Sequence, residues 1–279
     1  MKLTIVTVNF NNKDGLRKTI ESIKNQTYQD FQYVVIDGGS TDGSKQIIQE
    51  NLDYIDYWVS EPDGGVYNAM NKAIDVAEGD FCNFMNSGDC FDHNQVLELV
   101  IQDLCNASVF VGNVRLSDGR VFASPTNVSL EYFYHKKDNS TRLNHQSSFI
   151  KTDLLKKYHY DERYKIVSDW KFLVQVLIYD SVAYKKLNHI IAQYDMSGIS
   201  STDDRLDRLE RESVLQNDFP SLVYYYFQKL NSNYENKLYE NIIDSKFHRV
   251  IYFINVLLLK IVTILKKDSW IRLFPLRIN

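Results

Sequence analysis

Over its first ninety residues the chain alternates apolar strand with amphipathic helix, and three of the strands run into a small polar turn that carries a carboxylate. Residues 2–8, "KLTIVTV", are β-branched and alternate in polarity, as a strand does. In "NNKDGLRKTIESIKNQ", Leu16, Ile20 and Ile23 share one helical face behind Asn and Asp residues suited to capping. Residues 31–36 form a second strand, "TDGSKQIIQENL" opens a helix, and "IDYWVSE" is a third strand. "GVYNAMNKAIDVA" spaces Val66, Met70, Ala73 and Ala77 as a helix does, and residues 81–85 make a fourth, nearly continuous apolar strand. Such alternation predicts an α/β fold with a doubly wound, mostly parallel sheet. In open sheets of this kind ligands bind in the crevice outside the carboxyl ends of the strands, where these turns fall.

After Phe91 the rhythm changes. "NQVLELVIQDLC" reads as a helix, "SVFVGNV" as a strand, and Asp118 and Gly119 as a hairpin turn. "HQSSFIK" is expected as a strand, "IVSDWKFLVQVLI" as a helix and "VAYKKLNHIIAQY" as a last strand. Beyond Gly198 the chain is polar, then aromatic and helical. A soft boundary near residue 200 divides residues 1–200 from a helical extension over 201–279.

The turns carry the chemistry. In "VIDGGSTDGS" a buried strand ends at Asp37, two glycines let the backbone reverse, and Ser40 or Thr41 is placed to cap the next helix. "SEPDGGVYNAMNKAI" repeats the design with Asp63. Neither is a dinucleotide or P-loop fingerprint, because G-x-G-x-x-G and a Walker lysine are absent. With Asp89 closing "FMNSGD", three carboxylates stand at strand ends, an acidic crevice that suits a bare diphosphate poorly. Mg2+ or Mn2+ resolves the conflict, taking one or two carboxylates with phosphates and water as the remaining ligands. Asp89 is the candidate ligand; its bland alternative is a turn residue beside Gly88.

These segments, "TIVTVNFNN", "VIDGGSTDGS", "SEPDGGVYNAMNKAI", "FMNSGD", "HQSSF" and "YDERYKIVSDWKFL", occur in the order found in family 2 glycosyltransferases, which the chain resembles over residues 3–200. The likeness is greatest to bacterial enzymes that build capsule, O-antigen or other envelope polysaccharides. It implies a GT-A fold, a nucleotide-sugar donor, a divalent metal and inversion at the anomeric carbon. By the resemblance, Thr7, Asn9 and Asn11 line the nucleotide, Asp37 bonds the base, commonly uracil, and Asp63 is a second nucleotide-side carboxylate. Lys72 joins the donor side, although a solvated helical lysine is the commoner case. Ser87, Gly88 and Asp89 stand where the family has Asp-x-Asp, so only the last acid is retained and Ser87 or backbone groups replace the usual ribose contact.

An inverting transfer also needs a base, and the resemblance places it at Asp169; from the residues alone, Ser168 and Asp169 are as well suited to capping a helix. His145 is placed to approach the diphosphate or metal, although a lone histidine at a strand start is more often structural. Trp170 either stacks on an acceptor sugar or packs in the core. Residues 194–202, "YDMSGISST", resemble a mobile acceptor-side segment.

Composition bounds the remainder. In 279 residues, 44% are hydrophobic and 24% charged, which excludes disordered and collagen-like classes. Cys82, Cys90 and Cys105 lack zinc or CxxC spacing and read as core or near-core thiols of a reducing compartment. The N-terminus reads as a strand and not as a signal peptide, so the expected location is cytoplasmic, peripheral on the inner membrane face if the tail binds there. From residue 245 onward seven bases face one acid, so a tail of +6 leaves −10 on a body whose chain total is −4. The apolar run in 246–277 is shorter than the roughly 20 residues that span a bilayer. As a helix it either lies in a membrane interface, suiting a lipid-linked acceptor, or packs on the body or forms a homodimer. No nucleic-acid motif accompanies the acidic body. The rival functions are a non-catalytic nucleotide-sugar-binding module and, lacking the Gly-rich phosphate loop, a sugar nucleotidyltransferase.

Overall fold

The computed structural model describes residues 2–129, 132–133, 143–195, 203–221, 224–225 and 257. The basic run 246–277 lies, apart from Leu257, outside the described residues, as does most of the 194–202 segment.

β1 (Leu3–Asn9) is fully buried, and on leaving it the chain enters α1 (Lys13–Lys24), where the Asn12 carboxamide caps the helix by accepting from Gly15 N. β2 (Phe31–Asp37), α2 (Ser44–Gln49), β3 (Tyr57–Ser60), α3 (Val66–Val76) and β4 (Phe81–Phe84) follow. The four strands are parallel and ordered β3-β2-β1-β4, with Asn9 paired to Asp37 and Asp37 to Ser60, so their polar ends form one rim.

The second half turns the sheet mixed. It contains β5 (Cys90–Phe91), α4 (Val96–Asp103), β6 (Val109–Leu116), β7 (Val121–Phe122), β8 (Ser148–Lys151), α5 (Thr152–Tyr158), α6 (Ser168–Val174), β9 (Tyr184–Tyr194) and α7 (Asp204–Asn217). β8 runs antiparallel to both β4 and β6, β6 is parallel to β9, and β5 pairs antiparallel to β9, giving β3-β2-β1-β4-β8-β6-β9-β5 with β7 on β6. The Asp118-Gly119 hairpin joins β6 to β7 as the turn chemistry predicts.

Both sheet faces are covered, which explains why the strands read as continuous apolar runs. Leu16, Ile20 and Ile23 of α1 pack with Leu3, Ile5 and Leu97 on one face. Met70 and Ala73 of α3, Leu155 of α5 and Phe172 of α6 pack with Val6 and Val34 on the other. Val214 and Leu215 of α7 join that second cluster, so the first helix beyond residue 200 packs on the same core.

Four local readings are corrected. Gly43, with a left-handed φ of 99°, precedes α2 without any side-chain cap; Ser40 bonds to Asp37, and Asp42 takes the Ser44 amide at 3.0 Å. Residues His145–Ser147 form a 3-10 turn, because His145 and Gln146 turn toward carboxylates, and the strand begins at Ser148. Neither Ser168 nor Asp169 caps α6, which starts after Val167 and continues past Val174 as a π turn over Gln175–Tyr179. Cys82 and Cys90 are buried, whereas Cys105 is exposed. Among the described residues no helix is long and apolar enough to cross a membrane.

Candidate active site

The carboxylates of Asp37, Asp89 and Asp169 differ in how many of their lone pairs the protein already uses. An ionised carboxylate offers about four acceptor sites on its two oxygens.

Asp37 is 0% exposed and fills all of them: Asn9 Nδ2 (2.7 Å) and Ser40 Oγ (2.6 Å) donate to Oδ1, while Ser40 N (3.0 Å) and Ser60 Oγ (2.7 Å) donate to Oδ2. Burial acts to raise its pKa, but these donors outweigh it and hold the carboxyl below the usual range. Asp37 is thus sealed beneath the crevice, where it fixes the ends of β1, β2 and β3 to one another. Thr7 is likewise 0% exposed within β1, its hydroxyl donating to Met85 O at 2.9 Å, so it lines no crevice. Asn9 is buried on Asp37, and Asn11 Oδ1 accepts from Thr41 N at 2.9 Å on the surface.

Next to Gly38 stand the exposed Phe10 and the half-buried Asp63. Phe10 is 65% exposed at the end of β1. A Cβ at Gly38 would lie 2.7 Å from Asp63 Oδ2 and 3.2 Å from the Phe10 ring, so glycine there lets an aromatic face and a carboxylate approach each other. Asp63 Oδ1 accepts from Gly65 N at 2.9 Å. Lys72 points instead to Glu61, at 2.7 Å.

Asp89 has two acceptor sites left. It is 4% exposed; Asp195 N donates to Oδ1 at 2.8 Å and Gln146 Nε2 to Oδ2 at 3.0 Å. Burial dominates and pushes its pKa up to about 6. Its turn is pinned from α1: Asn12 Nδ2 donates to Ser87 O (3.1 Å), Lys18 Nζ to Gly88 O (3.0 Å), and Gly88 N to Thr19 Oγ (3.0 Å). Gly88 has φ 105°, and a Cβ there would collide with the Asp195 carboxylate, so both conformation and space require glycine. A buried carboxylate that, among the described residues, has one free lone pair per oxygen suits a hard cation that completes its shell from a diphosphate and water. Among the described residues no three His, Cys, Asp or Glu side chains form a ready metal cage.

Asp169 has one site left. Oδ1 receives Trp170 N (2.8 Å) and the Tyr67 hydroxyl (2.9 Å), whose proton is shared with Ile166 O (2.6 Å). His145 Nδ1 lies 3.2 Å from Oδ2, with Asn86 Nδ2 3.1 Å from Nε2. The network assigns the tautomer that donates from Nδ1 and accepts at Nε2. Burial alone would raise the Asp169 pKa; the His145 bond first, then Tyr67 and the Trp170 amide, bring it below the usual range. One fifth of the side chain remains exposed. Trp170 has one face covered by the Arg211 guanidinium, 4.6 Å from the ring centre, and its edge meets Phe133.

Asp37 is thus fully used by the protein, whereas Asp89 and Asp169 keep acceptor sites open. The sequence pattern described as Glycosyl transferase family 2 matches residues 4–161, more than half the chain. The chain belongs to glycosyl transferase family 2. An uncharacterized glycosyltransferase of Mycobacterium tuberculosis is 30% identical over 207 residues, covering 71% of this chain and 77% of that one. Among solved structures, S. aureus TarS 1-349 in complex with UDP-GlcNAc aligns with TM-score 0.63 at 18% identity, covering 92% of this chain and 79% of that one. Glucosyl-3-phosphoglycerate synthase from Mycobacterium tuberculosis, in complex with Mn2+, UDP and glucosyl-3-phosphoglycerate, aligns with TM-score 0.55 at 15% identity, covering 77% and 79%. The fold of this family 2 glycosyltransferase is therefore the GT-A type that the motifs implied.

Several residues around the candidate site carry no motif signal of their own. Phe10 gave a weak signal, an aromatic placed just after a buried strand. Gln146, Tyr67 and the α1 residues that pin the turn reach it across the sequence, and no local pattern marks them.

Proposed function

We propose that the protein is an inverting, cation-dependent transferase that moves a sugar from a UDP-linked donor to a hydroxyl of a saccharide or lipid-linked saccharide in bacterial surface polysaccharide synthesis. The carrying observation is that Asp89 and Asp169, held by adjacent residues Gln146 and His145, keep different numbers of acceptor sites open. The solved relatives add that one binds UDP-GlcNAc and another UDP with Mn2+.

In this reading the Phe10 ring stacks on the base and Asp63 faces the nucleoside, over a floor organised by Asp37. Asp89 would hold a divalent cation, Mg2+ or Mn2+, at the diphosphate end of the donor, with the Ser87-Gly88 turn beside it. When bound, the cation offsets charge on the departing diphosphate. The acceptor oxygen bonds to the anomeric carbon from the side opposite the diphosphate. The old carbon–oxygen bond breaks with its electrons left on the diphosphate, and the acceptor proton passes to the open site of Asp169. A base so placed contributes about 10²–10⁴-fold. Asp169→Asn tests the assignment: UDP release is expected to fall by about that factor with UDP affinity retained, and undiminished release would refute it.

A further inference from the structure

The loop that leads to Asp169 is fastened from two sides, by α3, the helix that springs from the Asp63-Gly64-Gly65 turn, and by Glu210 and Asp218. Asn71 Nδ2 donates to Tyr160 O and Asn71 Oδ1 accepts from Tyr160 N, both at 2.8 Å. Asn68 and Asn71 donate to the two oxygens of Glu162 at 2.9 Å. One turn earlier, the buried Tyr67 hydroxyl reaches Ile166 O and Asp169 Oδ1 with a single proton. From the far side Glu210 of α7 accepts from Lys165 N (2.7 Å) and Ile166 N (2.9 Å).

We infer that Tyr67 is a positioning residue for Asp169, through which the donor-side turn and the base are set by one helix. Its ring is fixed against Tyr160, 5.5 Å between centroids, so the hydroxyl direction is determined by packing. Fixing the hydroxyl on Oδ1 leaves the open site on Oδ2, and the backbone bond to Ile166 O stops the α6 entrance from drifting. The other groups that face the carboxylate are His145 from the turn before β8 and Tyr160 from the loop after α5, with Arg211 of α7 lying across the neighbouring Trp170. Burial and the Asp169 charge raise the Tyr67 pKa well above its ordinary value, so the hydroxyl remains a donor. The inference rests on the proposed base role of Asp169.

The test uses the full chain with 13C-labelled aspartate carboxyls, the Asp169 resonance being the one lost in Asp169→Asn. Tyr67→Phe keeps the ring and removes the hydroxyl. We expect the Asp169 midpoint to move upward and UDP release from UDP-GlcNAc with Mn2+ to fall about ten-fold at unchanged KM, the loss of one hydrogen bond to a charge. Tyr33→Phe, which removes a buried hydroxyl elsewhere in the core, should leave both unchanged. An unmoved midpoint in Tyr67→Phe overturns the inference whether or not UDP-GlcNAc is the donor, and leaves the base assignment standing. UDP release undiminished in Asp169→Asn overturns the base assignment and the inference together. Should Tyr67→Phe not fold, Asn71→Ser, which frees residues 160–162 from α3, must lower UDP release without moving the midpoint; unchanged release there also overturns it.

Discussion

His145 and Gln146, adjacent in the chain, each hold a different carboxylate of the site: His145 Nδ1 lies 3.2 Å from Asp169 Oδ2, and Gln146 Nε2 donates to Asp89 Oδ2 at 3.0 Å. The 3-10 turn at His145–Ser147 directs the two side chains to separate targets. One short segment thereby holds both Asp89, the proposed cation ligand, and Asp169, the proposed base, and its substitution tests both ends.

The first prediction concerns His145→Gln. Asp169 is held below its ordinary pKa chiefly because the His145 bond overcomes burial. Loss of that bond raises the pKa, so a larger share of Asp169 is protonated in mild acid. The acid limb of the kcat/KM profile should move to higher pH by about one to two units, so that turnover falls more in mild acid than at pH 8.

Asp89 carries the opposite sign. Its folded pKa of about 6 is raised, so its stabilising contribution is complete below the ordinary aspartate value and is lost as pH climbs to about 6. Asp89→Asn removes that loss. The variant should melt a few degrees at or above wild type at pH 7 and show a flatter dependence of Tm on pH between about 4 and 6. A lower Tm at pH 7 would contradict the burial argument.

Much of this architecture was legible because the physics is local. Leu16, Ile20 and Ile23 announce α1 by spacing, and continuous apolar runs announce strands buried on both faces. Asp37 was legible as important yet not in its role, since a count of its donors needs Ser60 and Asn9 from other strands. β5 is two residues long and exists because β9 arrives about a hundred residues later to pair with it. Tyr67 reads locally as one apolar position of a helix; its hydroxyl acquires a partner when residues 166–169 pack against it.

Phe10→Ala should weaken UDP binding about ten-fold, the range of a base stacked on an aromatic ring. With 65% of the side chain exposed, Tm should change little, which separates this variant from core substitutions by calorimetry and melting on the same sample.

Gly38→Ala places a methyl 2.7 Å from Asp63 Oδ2 and 3.2 Å from the Phe10 ring. Both side chains can swing outward, so the expected effect is a loss of nucleotide affinity with a minor change in stability. A variant that binds UDP as wild type does would show that Phe10 and Asp63 need not meet at this spot.

Glu210→Gln keeps shape and removes the charge that accepts Lys165 N and Ile166 N. A loss of about 1–3 kcal/mol in urea unfolding is expected for a buried charge-assisted pair of bonds, with turnover falling alongside it.

The central claim is that Asp89 carries the donor through a divalent cation. Calorimetric titration of UDP and a panel of UDP-sugars into the full chain, with and without Mn2+, for wild type and Asp89→Ala, tests it most directly. The account predicts nucleotide binding that requires Mn2+ in wild type and is lost in a folded Asp89→Ala. Equal affinity with and without Mn2+, or binding unchanged in Asp89→Ala, would contradict it.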